Sequence, residues 1–137
     1  MNKTFAAIHK GLAFYIGIGV FAQMFFAGIW HAGVVNTPDA HVFFGLSLLL
    51  ASLLALIAAA VAKLPKAVIG RTALLFVLIL LQPILMEGRR NGLEFVSAFH
   101  TLNAPFIGIV SGTVLAMSRG VQARDSESGS VSVAAGD

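Results

Sequence analysis

PDAHVFFGLSLLLASLLALIAAAVAK, residues 38–63, is the stretch whose reading decides the fold. After Asp39 it carries no charge until Lys63, and its apolar run from His41 to Ala62 meets no proline. A helix crosses a bilayer in about 20 residues at roughly 1.5 Å each. Lipid offers no water to free backbone groups, so such a run is helical. The stretch reads as a membrane span that opens, unexpectedly, on a histidine.

Three further blocks of this kind flank it. They run roughly over residues 12–34, 68–86 and 95–117. The chain of 137 residues is 58% hydrophobic and only 11% charged, against about a quarter charged for a soluble domain. The expected fold is all-α, an integral membrane four-helix bundle built from two tandem helical hairpins. The linkers "VNTPD", "KLPKAVIGR" and "EGRRNGLE" are short, which makes successive helices antiparallel neighbours. Pro38, Pro65, Gly88 and Gly92 break the chain locally, while Pro83 and Pro105 fall inside spans and kink them.

Lysine and arginine set the orientation. Lys3, Lys10, Lys63, Lys66, Arg71, Arg119 and Arg124 lie at one end, against Arg89 and Arg90 at the other. This places the chain in the cell membrane as a multi-pass protein with both termini cytoplasmic. The first span has a basic start, yet its run is too long for a cleaved signal and no cleavage site follows cleanly. Residues 119–137, rich in serine and glycine, read as a disordered cytoplasmic tail after a domain of residues 1–118. There is no cysteine, so disulfides and thiolate metal sites are excluded. No basic patch interleaved with aromatics suggests nucleic acid, and no phosphate loop, nucleophile elbow or zinc-protease motif is present.

A shift of 59 residues superimposes His41 on His100, Gln23 on Gln82, Gly11 on Gly70 and Ser52 on Ser111. Each glutamine precedes its histidine by eighteen residues. Two hairpins repeated in this way are related by an axis along the membrane normal. His41 and His100 then stand at one depth near the outer face, on diagonally opposed helices. Polar side chains inside a bilayer usually face the bundle interior. Two facing imidazoles suit the axial positions of one haem iron. Gly45 and Ala104, one turn after each histidine, are small enough to admit a flat macrocycle. Phe43, Phe44, Phe99 and Phe106 are candidates to pack around it, and Arg89, Arg90 and His31 to meet its propionates.

The run "LLQPILMEGRRNGLEFVSAFHTLNAPFIG" resembles the haem A synthase family, in which each four-helix half holds a bis-histidine b-type haem through its second and fourth helices. His41 and His100 match those two positions. The chain also resembles a set of small four-helix bacterial and archaeal membrane proteins of unknown function, with His41, Gly45, His100 and Asn103 in matching places. The resemblance implies a haem b site, and electron transfer or haem handling at such a site would call for a membrane redox partner. Where the synthases carry a glutamate one turn before a ligand histidine, this chain has Pro38, which argues against oxygenase chemistry on the haem.

Other readings stay open on the residues alone. The two histidines also suit helix capping. With His31 they suit a three-imidazole copper or zinc site. His9 reads as a solvated interface residue, Gln23 and Gln82 as interhelical hydrogen-bonding groups, and Trp30 as an interface anchor. Asn103 suits either orienting His100 or bonding carbonyls freed by Pro105. Gly17, Gly19 and Gly28 read as helix-packing contacts, and Glu87 and Glu94 as members of a solvated loop. The functional alternatives are a b-type haem protein for electron transfer or haem handling and a cofactor-free structural or assembly subunit.

Overall fold

The computed structural model describes the backbone of residues 1–134 and the side chains of residues 1–121 apart from Arg89. Those residues form four α-helices and no strand: α1 Lys3–His31, α2 Asp39–Val61, α3 Lys66–Arg90 and α4 Glu94–Ala134. All four are long and apolar enough to cross a membrane. Helices α3 and α4 continue through Pro83 and Pro105.

Two helices extend beyond the apolar runs they contain. Helix α1 begins at Lys3, before the run from Leu12, and Asn2 caps it by accepting from the Phe5 amide. Helix α4 keeps helical geometry to Ala134, past the run that ends near Met117, and no proline interrupts it after Pro105. The expectation of disorder over residues 119–137 falls largely on side chains outside the described residues, and residues 135–137 lie wholly outside them.

Each of the first three helices ends in the same way. The Val34 amide donates to Ile29 O and the Gly33 amide to Trp30 O. Leu64 and Lys63 repeat this with Ala59 O and Ala60 O, and Leu93 donates to Gly88 O. These are Schellman closures, which need a left-handed residue just past the helix. Gly33 (φ 72°) and Gly92 (φ 80°) supply it without steric cost, whereas Lys63 takes φ 55° with a full side chain. Gly33 and Gly92 are themselves 59 residues apart, a further match beyond those visible as polar residues.

The helices form a square. Helix α1 packs on α2 and α4, and α3 packs on α2 and α4; among the described residues the diagonals α1/α3 and α2/α4 make no close backbone approach. The core is thin and built of small or branched residues such as Ala13, Ile16, Ala55, Leu75 and Val114. Small side chains let backbones approach, which is how helices associate where lipid removes the hydrophobic drive. Gly19 is one such contact, since the Leu48 side chain lies where its Cβ would be; Gly17 and Gly28 face open space instead. The exterior is apolar, with Phe21, Phe43 and Phe95 each more than two-thirds exposed. An apolar patch of that extent needs a cover.

Candidate functional site

His41 lies in the first turn of α2, and His100 lies two turns into α4. Although α2 and α4 stand on a diagonal, the two imidazoles meet between them. Their ring centroids are 6.0 Å apart and their planes inclined by 61°. Both rings are partly buried. Each is held by the preceding helix in the same way: His41 Nδ1 lies 3.2 Å from Gln23 O, and His100 Nδ1 lies 3.2 Å from Gln82 O. A carbonyl only accepts, so Nδ1 carries the proton in both rings. Nε2 is then the lone-pair atom of each neutral imidazole. A backbone carbonyl on the second nitrogen is the usual way to fix a metal-binding histidine.

Ring spacing bears on what fits. Two imidazoles on opposite sides of one metal ion, with bonds of about 2 Å, place their centroids roughly 6 Å apart. The rings of this pair stand at that spacing, which is also that of an ordinary edge-on ring contact. They form a two-donor set; among the described residues no group of three or more His, Asp or Glu side chains converges. The three-imidazole site with His31 is therefore not assembled. The His31 ring is exposed and rests on Trp30, centroids 4.8 Å apart.

The glutamines depart from expectation in an informative way. Their backbone carbonyls, not their carboxamides, make the bonds to histidine. Gln23 Oε1 and Gln82 Oε1 are both buried and accept no hydrogen bond. The Gln23 carboxamide nitrogen lies where a Cβ at Gly45 would go. The notch expected to admit a macrocycle thus receives a glutamine side chain. A buried acceptor without a donor costs about 1–3 kcal/mol. Two of them at matched positions mark this end of the core as short of hydrogen-bond donors.

The remaining expected residues scatter. Asn103 neither orients His100 nor serves the carbonyls near Pro105; its Nδ2 donates across to Leu78 O on α3, at 2.7 Å. There it ties α4 to the turn preceding Pro83. Arg90 pairs with Glu87 at 3.3 Å on the exposed last turn of α3, and the Arg89 side chain is outside the described set. Phe44 packs edge-on against Phe26, Phe99 packs edge-on against Phe95, and Phe43, Phe99 and Phe106 are exposed.

His9 is a correction. It is fully buried, not solvated. Its Nε2 lies 3.0 Å from Thr72 Oγ1 on α3, and its Nδ1 lies 3.2 Å from Ser118 Oγ on α4. Both hydroxyls also donate to carbonyls of their own helices, Val68 O and Val114 O. With those protons committed, each hydroxyl can only accept from the ring, yet a neutral imidazole has one N–H. One hydroxyl must therefore share its proton. The cluster fastens three helices at the end of the bundle opposite His41 and His100. Its signal in the sequence is the stripe Ala6, His9, Ala13, Ile16, Val20, spaced for one helix face.

Comparison with known protein families, characterised proteins and solved structures returned no match.

Proposed function

We propose that this chain is an integral membrane protein of two tandem hairpins that holds one b-type haem between His41 and His100. The proposed role is one-electron transfer, or haem handling, beside a membrane redox partner. Both termini are cytoplasmic in this reading, and the histidine pair sits near the outer face. One observation carries it: two imidazoles from diagonal helices, 6.0 Å apart, each oriented through Nδ1 by the carbonyl of a matched glutamine. The repeat supports it independently. Matched positions 59 apart make the same bonds at His41 and His100, at Ser52 to Leu49 O and Ser111 to Gly108 O, and at the Gly33 and Gly92 closures.

In this reading His41 and His100 would hold the haem iron through Nε2. Gln23 O and Gln82 O hold the rings in the tautomer that leaves Nε2 free. The Gln23 carboxamide leaves the Gly45 notch, a movement of one flexible side chain. A haem held by two histidines would supply one-electron chemistry in preference to oxygen activation.

The test is a reduced-minus-oxidised absorption spectrum of the full chain purified from haem-supplied cells. A b-type α band is expected, and it is expected to vanish in both His41→Ala and His100→Ala. A colourless protein, or either variant keeping the band at full strength, rejects the reading. The cofactor-free structural reading is favoured by one observation, the Gln23 carboxamide seated at Gly45; it expects no band and intact folding in both variants.

A further inference from the structure

At the end of the bundle carrying Lys3, Lys63 and Lys66, a groove of about 340 Å³ opens between α1 and α4. It is lined by Ala7, Lys10, Gly11, Phe14, Leu115 and Arg119. The lining has two levels. Lys10 on α1 and Arg119 on α4 form one; Phe14 and Leu115, each four residues further into the spans, form the other. Four residues are about one helical turn, so each apolar residue lies on the same face as its cation. Gly11 leaves the groove open, with nothing within 4 Å of where its Cβ would stand. On the adjacent positions the His9–Ser118 bond holds α1 and α4 in register, and with them the two cations.

We infer that this groove binds one anionic glycerophospholipid. Its phosphate meets Lys10 and Arg119, and an acyl chain runs over Gly11 between Phe14 and Leu115. The argument is charge and shape together. A cation from each of two helices at one level, above an apolar slot, matches an amphiphile with a negative head. Basic pockets between spans on the cytoplasmic side select such heads. A zwitterionic lipid would bring its own ammonium against the same two cations. The inference rests on the bilayer reading of the four helices and not on the haem, whose histidines lie at the opposite end.

The experiment offers the detergent-purified full chain an equimolar mixture of phosphatidylglycerol and phosphatidylcholine, with retained lipid read by native mass spectrometry. One phosphatidylglycerol per chain is expected in preference to phosphatidylcholine. Lys10→Gln with Arg119→Gln should weaken its retention roughly 10- to 30-fold. Gly11→Leu should abolish retention by filling the slot with both cations in place. Lys63→Gln with Lys66→Gln, at the same end but outside the groove, should leave it unchanged. Circular dichroism of each variant confirms that the helices persist. Equal retention of the two lipids overturns the site. So does a double variant that binds as the parent, a Gly11→Leu chain that still binds, or equal loss in the Lys63 and Lys66 control. The b-type spectrum, recorded on the same samples, separates failure here from failure of the haem reading.

Discussion

At position 45 the absence of one methyl group lets a glutamine side chain fold into the core. Gly45→Ala gains about 1 kcal/mol of helix propensity but pushes the Gln23 carboxamide out of its place. In a Gln23→Ala background only the gain remains. A double-mutant cycle on detergent-solubilised protein, read by thermal unfolding, should therefore return a coupling of about 1 kcal/mol between the two positions. Additive effects would place the amide elsewhere. The histidines and glutamines of this region are legible in the sequence, because a polar residue in an apolar span stands out and the 59-residue spacing pairs them. What the glutamines do is not legible. Whether a carbonyl or a carboxamide makes the bond depends on how two helices rotate against each other, and periodicity does not fix that. His9 shows the opposite failure. Its stripe is in the sequence, but a span counted from the first uninterrupted apolar run starts after it and leaves it outside the core.

Among the elements, the closures after α1, α2 and α3 share one geometry but not one residue. Lys63 holds a left-handed conformation that costs an L side chain roughly 1–2 kcal/mol, which glycine avoids. Lys63→Gly should raise stability by about 0.5–1 kcal/mol in thermal unfolding, after allowance for the greater freedom of glycine in the unfolded chain. Gly33→Ala and Gly92→Ala should lower it by about 1 kcal/mol each. A destabilised Lys63→Gly would mean that the lysine side chain supports the turn. In the proposed topology a lysine at this turn adds to the cytoplasmic excess of positive charge that sets orientation. Helix number and type are legible from hydropathy alone. The ends of α1 and α4 are less so, because hydropathy marks where a helix leaves lipid and not where its hydrogen bonds stop.

For the molecule as a whole, the cysteine-free sequence makes orientation directly measurable. Single cysteines at Asn36 and Asn91 should react with a membrane-impermeant maleimide on intact cells. Single cysteines at Lys66 and Ser126 should react only after the membrane is opened. The reverse pattern would invert the proposed topology, and labelling at all four would place the chain outside a bilayer. The two ends of the bundle also differ in kind. Around His41 and His100 the two halves repeat the histidine-to-carbonyl bond. Around His9 they do not: the positions 59 residues from His9, Thr72 and Ser118 are Val68, Ala13 and Ala59. A hairpin of α1 and α2 that sought a second copy of itself would bury the His9 imidazole against alanine carbons, with neither hydroxyl to receive it. At the His9 end the front half of the chain is thus fitted to the back half and not to a second copy of itself, because only the back half carries the two hydroxyls.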